Sequence, residues 1–323
     1  MKNIPADRFN LVADIGGTNT RVALANGKVL LPETTTKYSN HNFSDLGSVL
    51  HQFIRDQGNV DCAGACVAVA GPVRDGIGEM TNLNWSIDRP LLASATKAEK
   101  VAILNDLQAQ GHSLYQIEPQ SFSPILSTPN APQNGTKLVV GIGTGFNASV
   151  VINTGEKLLV PPSETGHIDL PVQNQSNIEL AEYVRQQLGF CAIDDVLSGR
   201  GIEMMYRWHA LTQKADGRLS SHGIFQAVEQ GANPVATETL RHFIQLAGYA
   251  IGNLALTHLP FGGIYLAGGM ARAVAPYLVQ YNFEKSFKDK GRFREFMDNF
   301  SVSIIQDDAA ALTGCANFLN AKT

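Results

Sequence analysis

Three short apolar runs open the chain: FNLVADI at 9–15, RVALA at 21–25 and KVLLP at 28–32, with glycine-bearing turns at 16–17 and 27 between them. Runs of this length closed by glycine predict strands joined as an antiparallel meander. The rhythm then changes. Leu46, Val49, Leu50, Phe53 and Ile54 recur at helical spacing, and Ser44 stands where an N-cap is needed. CAGACVAVA, from Cys62, predicts a buried strand that stops at Gly71-Pro72; its even spacing places Cys62 and Cys66 on one face. A short helix from about Asp88, with Pro90 near its start, leads into the strand KVAILND. Strands and helices in this order predict an α/β layered architecture.

Residues 118–136 are rich in Pro, Ser and Asn and carry no regular period, which predicts a loop at a domain boundary. The opening theme then repeats. KLVVGIGTGFNASVVIN, 137–153, is again strand, Gly/Thr turn, strand. Helices follow at about 176–188, around 194–213, and from Pro234 to about His258, the last capped by Asn233. GGIYLAGGMA at 262–271 predicts strand, Gly-Gly turn and helix. SVSIIQ is a late strand, and DDAAALTGCANFL, 307–319, is a small-residue helix suited to packing back on the first region. The expected division is a small domain of 1–110 plus 307–323 and a large domain of 111–306.

Composition narrows the function classes. The 323 residues are 44% hydrophobic and 17% charged, an ordinary globular mix. A net charge of -4 gives no electrostatic reason to expect a nucleic-acid partner. No apolar run approaches the ~18 residues of a membrane span, so no membrane partner is expected. The four cysteines form neither a CxxC pair nor a Cys/His cluster, so no structural zinc is expected, and the usage fits a reduced, cytoplasmic protein.

The candidate chemistry lies in the turns. In DIGGTNTR, Asp14 ends a strand, Gly16 and Gly17 let backbone N–H groups approach a phosphate, and Thr18 adds a hydroxyl beside Asn19. Asp14 is placed to hold the water shell of a Mg²⁺ ion bridging phosphates. An ordinary glycine hairpin explains that turn alone equally well. Its repeat at Gly143-Thr144-Gly145 weakens the ordinary explanation, because two such hairpins can clamp a polyphosphate between two domains. Neither is a Walker loop, since no G-x-x-x-x-G-K-[ST] exists. Gly268 and Gly269 form a third turn after an apolar strand, suited to a ribose or base as well as to simple tight packing.

DIGGTNTR, GIGTG and LAGGM, in this order, resemble the actin/hexokinase/sugar-kinase superfamily. The stretches AVAGPV, MTNLNW, LND, SETGHIDL, VLSGRG and FKDKGRF narrow the resemblance to the bacterial ATP-dependent glucokinase family and span nearly the whole chain. The resemblance implies a two-domain actin-like ATPase (ribonuclease H-like) fold with its active site in the interdomain cleft. It implies phosphorylation of D-glucose at its 6-hydroxyl, the first step of glycolysis, with ATP and Mg²⁺, in a cytoplasmic homodimer. Asp106 matches the family's general base and Asn105 its neighbouring sugar ligand. Glu164 and His167 match sugar-hydroxyl ligands, Asp194 falls on a further sugar-binding glutamate, and Asn82 lies near the edge of the sugar site. The turns at 16–19 and 143–145 would hold phosphates, and Gly268-Gly269 would line the adenosine.

Three positions depart from the family's pattern. Asp194 is one methylene short, Thr165 replaces a usual Gly, and Asn147 replaces a Gly after the second turn. A kinase for another hexose (mannose, fructose or an amino sugar) and a non-catalytic sugar-sensing protein of the same fold stay open as rival readings. The other branch of sugar kinases, the repressor/open-reading-frame/kinase type, usually has a Cys-rich zinc motif beside its sugar site, which this sequence lacks, and with the first hairpin predicted from residue ~9 a DNA-binding repressor is not expected.

Overall fold

β1 (Phe9–Ile15), β2 (Asn19–Asn26) and β3 (Val29–Ser39) form the antiparallel meander, in register from Asn10↔Ala25 to Ile15↔Thr20 for the first pair. The structure is a computed structural model and describes residues 9–80, 83–129, 131–132, 134–215, 217–231 and 233–321. β3 runs on past Pro32 through ETTTKYS, a β-branched stretch that suits a half-exposed edge strand. α1 (Leu46–Asp56) buries Leu46, Val49, Leu50 and Phe53. Its cap is Asp45 and not Ser44: Asp45 Oδ1 accepts the Ser48 N–H at 2.7 Å, while Ser44 Oγ donates to Asp45 Oδ2 at 3.1 Å. A carboxylate makes the stronger, charge-assisted cap, and Ser44 sits one residue too early.

β4 (Cys62–Val69) runs parallel to β1, and here the even-spacing argument fails. Phe9 pairs with Cys62, but Asn10 pairs with Gly64, so one extra residue enters β4. Such a bulge turns the strand over between the two cysteines. Cys62 packs with Leu11, Ala65 and Val67 on the α1 side, whereas Cys66 packs with Val12, Leu312 and Cys315 on the other. All four cysteines are buried thiols.

Three short strands, β5 (Val73–Arg74), β6 (Ile77–Glu79) and β7 (Ser86–Asp88), form a small antiparallel sheet that periodicity did not reveal. α2 (Arg89–Thr96) starts at the Asp88 cap with Pro90 in its first turn, as expected. β8 (Lys100–Asn105) returns parallel to β4 and leads directly into α3 (Asp106–Ser113). The resulting order is β3-β2-β1-β4-β8.

The predicted loop at 118–136 contains a strand, β9 (Phe122–Leu126), which pairs antiparallel with a strand more than a hundred residues later. Its FSPIL sequence is too short and too Pro-interrupted to signal itself; an edge position admits it. β10 (Lys137–Ile142) and β11 (Phe146–Asn153) are the second hairpin, followed by the two-residue β12 (Leu158–Leu159). α4 (Gln175–Leu188) is as predicted, but the segment around 194–213 is two helices, α5 (Ile193–Val196) and α6 (Gly199–Gln213), broken at Leu197-Ser198. Ser198 caps α6 through Gly201 N at 3.1 Å. α7 (Ser221–Glu229) was not foreseen.

α8 (Pro234–His258) has the Asn233 cap and buries apolar residues all round, which marks a central core helix. β13 (Ile264–Ala267), α9 (Gly269–Val274), α10 (Phe283–Phe287), β14 (Val302–Ile305) and α11 (Ala310–Ala321) complete the chain. The second sheet runs β12-β11-β10-β13-β14-β9.

Two units result. One holds the chain up to Glu118 with 156–162 and the chain from Asp307; the other holds 119–155 and 163–306. The first unit buries one apolar cluster on each face of its sheet, around Leu11, Phe53 and Ile87 and around Val12, Cys66 and Leu312. The second is built on a single large cluster around Val140, Ile202, Phe243, Ile251 and Leu266. Among the described residues, no helix is long and apolar enough to cross a membrane.

Candidate active site

In the first unit the candidate residues share one edge of one sheet. β1, β4 and β8 are parallel, and Ile15, Val69 and Asn105 stand side by side in register. Asp14 is one residue before that row and Asp106 one residue after it. The first hairpin turn and the start of α3 therefore emerge at the carboxyl ends of strands two positions apart, about 10 Å at normal strand spacing. Carboxyl ends are where open α/β sheets bind ligands.

The first turn is held by a residue the sequence reading did not single out. Gly16 N donates to Asn19 O at 3.0 Å. Asn40, only 2% exposed, donates from Nδ2 to Gly16 O at 2.8 Å and from its backbone N to Thr18 O at 2.9 Å, and accepts from Thr20 Oγ1 at 2.8 Å. The carbonyls of the turn are thus turned toward Asn40, while Thr18 itself stays exposed. A buried Asn in a polar stretch beyond a strand gives no sequence signal; only the fold brings it under the turn. Asp14 lies opposite Arg21 across the hairpin. Burial pushes its carboxyl up and Arg21 opposes that shift. Arg21 Nη1 also donates to Asp308 O at 2.7 Å, anchoring the approach to α11.

Asn105 and Asp106 sit at the junction of β8 and α3. Asn105 is buried and caps the helix: Oδ1 accepts from Leu107 N at 2.9 Å, Nδ2 donates to Gly71 O at 3.0 Å, and its backbone N donates to Gln108 Oε1 at 3.1 Å. Asp106 Oδ1 shares the Leu107 N–H at 2.8 Å, an interaction that points the carboxylate at the helix N-terminus. Gln108 Nε2 donates to Val160 O at 2.8 Å, which ties this turn to the returning segment 156–162. Asn82 lies outside the described residues.

In the second unit the same edge logic recurs. Gly141 of β10 pairs with Ala267 of β13, so the 143–145 turn and the Gly268-Gly269 turn leave adjacent parallel strands. Gly268 has φ +99°, and a Cβ there would lie 2.5 Å from Ile142 O, so it is glycine for packing as well as for backbone angle. Gly143 and Gly269 have open space where a Cβ would stand. Gly145 does not: its Cβ would meet Asp194 Oδ1 at 2.6 Å. Gly143 O accepts from Gly199 N at 2.8 Å, which sets the turn against the start of α6, and Thr144 is exposed.

Glu164 and His167 come together at 3.9 Å on a single turn of 3-10 helix. Burial raises the Glu164 carboxyl, His167 lowers it, and the nearby charge of Asp194 adds to the rise. Asn147, a departure from the family's pattern, organises this loop: Nδ2 donates to Ser163 O at 2.6 Å and Oδ1 accepts from Thr165 N at 3.0 Å. Thr165 in turn shares a short hydroxyl contact with Ser163. Gly166 allows the loop to touch Phe146 O, where a Cβ would collide. Asp194 is 6% exposed and accepts from Phe146 N at 2.5 Å and from Arg200 Nη2. Arg200 is the second residue the sequence reading missed. It stands in the quoted VLSGRG stretch, and a lone exposed Arg carries no signal until Asp194 is found beside it.

The structure superposes on solved sugar kinases throughout its length. A glucokinase from an Antarctic psychrotroph aligns with TM-score 0.84 at 28% identity over 97% of this chain and 99% of that one. A glucokinase from Balamuthia mandrillaris in complex with glucose aligns with TM-score 0.84 at 23% identity over 100% and 96%. A ROK family glucokinase from Streptomyces griseus in complex with glucose and AMPPNP shares the fold more distantly, TM-score 0.67 at 18% identity over 96% and 98%. The protein is thus a sugar kinase of the actin-like ATPase fold. The Glucokinase family model matches residues 11–322, and a Trichormus variabilis glucokinase is 30% identical over 95% of this chain and 97% of its own length. A Saccharophagus degradans glucokinase is likewise 30% identical, over 96% and 98%. The chain belongs to the glucokinase family. It is an enzyme, an ATP-dependent kinase of glucose, and the sugar-sensing alternative falls away.

Proposed function

We propose that Asp106 is the general base of this glucose kinase. The observation that carries the reading is the row Ile15–Val69–Asn105, which brings Asp106 and the first phosphate turn to one sheet edge. The 6-hydroxyl gives its proton to Asp106 as its oxygen attacks the γ-phosphorus and the bond to the β-bridging oxygen breaks. N–H and hydroxyl donors at Gly16, Gly17, Thr18 and Asn19 and at Gly143, Thr144 and Gly145 meet the charge on the phosphoryl oxygens. Gly268 and Gly269 carry the adenosine. Glu164, His167 and the Asp194 cluster hold the sugar, with Asn105 acting mainly as the cap that aims Asp106.

Asp14 is the metal-side carboxylate. No group of three or more His, Cys, Asp or Glu among the described residues could cage a metal. A single carboxylate beside a phosphate turn suits Mg²⁺, which keeps its waters and takes the phosphates as further ligands. Bound there, Mg²⁺ would neutralise phosphate charge. We place the enzyme in the cytoplasm, as a homodimer, and sedimentation of the purified protein tests the latter.

Asp106→Asn keeps size and cap geometry but cannot take the proton. Expected is a loss of kcat of about 10²–10⁴-fold with glucose binding by calorimetry retained. Turnover like wild type would remove Asp106 from this role.

A further inference from the structure

The first turn of α6 carries a cation, Arg200, that the proposed chemistry does not use. Asp194 occupies the position where a sugar-binding carboxylate is expected, yet its side chain is 8% exposed and both oxygens are engaged. Oδ1 accepts from the Phe146 backbone at 2.5 Å, and Oδ2 accepts from Arg200 Nη2. The Arg200 side chain, by contrast, is 64% exposed and also lies 3.9 Å from Asp195 Oδ1. Asp194 packs against the loop that carries Glu164 and His167, since a Cβ on Gly166 would stand 3.4 Å from Asp194 Cβ, and Arg200 is paired to Asp194 at that place.

A guanidinium has five N–H donors, and one ion pair with a buried carboxylate fixes its plane while leaving most of them outward. We infer that Arg200 is the specificity-determining residue of the sugar site: Asp194 anchors it, and its outward N–H groups donate to a hydroxyl oxygen of glucose where a free carboxylate would have accepted. The inference rests on the glucose-kinase reading of this loop. It reverses the polarity of one contact. A carboxylate selects a sugar hydroxyl by its proton, but a guanidinium selects it by its lone pairs. A substituent that accepts without donating, such as fluorine or a methyl ether, then keeps part of the contact that hydrogen loses.

The test uses the full-length enzyme with ATP and two sets of analogues, monodeoxyglucoses and monodeoxyfluoroglucoses altered at ring positions other than C6. Expected for wild type is one position at which fluorine is tolerated better than hydrogen in kcat/KM. At that position Arg200→Ala abolishes the preference. It also raises KM for glucose by about 10- to 100-fold, the range for a hydrogen bond to a charged group, with kcat little changed. Arg200→Lys, which keeps the charge and loses the fork, retains the preference in part and carries the same test if the alanine variant does not fold. Equal KM for glucose in the variant, or penalties that add independently at every ring position, would overturn the inference and leave Arg200 a surface partner of Asp194. Absence of glucose-dependent ADP formation by wild type would instead sink the parent reading.

Discussion

At the scale of single residues, the site works through side chains that hold others in place. Asn40 is the plainest instance. It makes three hydrogen bonds to the 16–19 turn, the proposed phosphate turn, and its flank while almost wholly buried. Asn40→Ala removes the side-chain bond to Gly16 O and leaves Thr20 Oγ1 without its buried partner, a loss of about 1–3 kcal/mol. Because the turn then samples other shapes, we expect KM for ATP to rise and kcat to fall, with KM for glucose nearly unchanged. Steady-state kinetics in both substrates checks this; an effect on stability alone would make Asn40 a fold residue only. The same scale shows why a motif is read more easily than its support. The glycines of GIGTG are visible in the sequence, but that Gly145 makes room for Asp194 is a fact about a residue 49 positions away.

At the scale of elements, Asp106, the proposed base, stands at the start of a helix packed by another. α11 returns from the far end of the chain and packs on α3, and Gly314 lies so close that a Cβ would collide with Ala109 O. Asn317 Nδ2 donates to His112 O at 2.9 Å at the other end of the contact. Gly314→Ala must push the helices apart, and overpacking of this kind costs about 1–3 kcal/mol. Expected are a lower Tm and, since α3 begins at Asp106, a lower kcat in the protein that remains folded. Circular dichroism and kinetics on one preparation separate the two effects. The small-residue composition of DDAAALTGCANFL marked this helix as one made for close packing, but not the neighbour it packs on.

At the scale of the whole molecule, stability depends on pH through a buried pair in the second unit. His209 of α6 and His242 of α8 are bonded Nε2 to Nδ1 at 3.1 Å, and His242 Nε2 meets Asn177 Oδ1 at 2.8 Å, with Trp208 packed against both rings. The amide oxygen requires a proton on His242 Nε2. Neutral His242 then accepts at Nδ1 from His209 Nε2–H, so the chain of bonds is made by two neutral rings. Burial pulls both down to about 4 from 6.5, with His209 adding to the shift of His242. The unfolded chain therefore binds more protons than the folded one between these values. The contribution of this pair to stability is complete above 6.5 and is lost as pH falls toward 4. Denaturant unfolding across that window should show stability falling with acidification, and less steeply in His242→Gln. Parallel slopes would place the acid sensitivity elsewhere.

The sequence by itself determined the strands and helices with strong periods, the two glycine-turn hairpins, the Asn105-Asp106 junction and the family. These are local signals: apolar spacing, glycine where a turn needs it, and a cap at a helix start each act within a few residues of chain. Tertiary structure alone decided the rest. It put Cys62 and Cys66 on opposite faces through one bulged residue. It made a strand of Phe122–Leu126 because a distant edge, β14, could receive it. It also set Asn40 beneath one turn and Arg200 against Asp194. Each of these is a pairing between residues far apart in sequence. Its energy exists only once the chain has closed, so no window of sequence contains it.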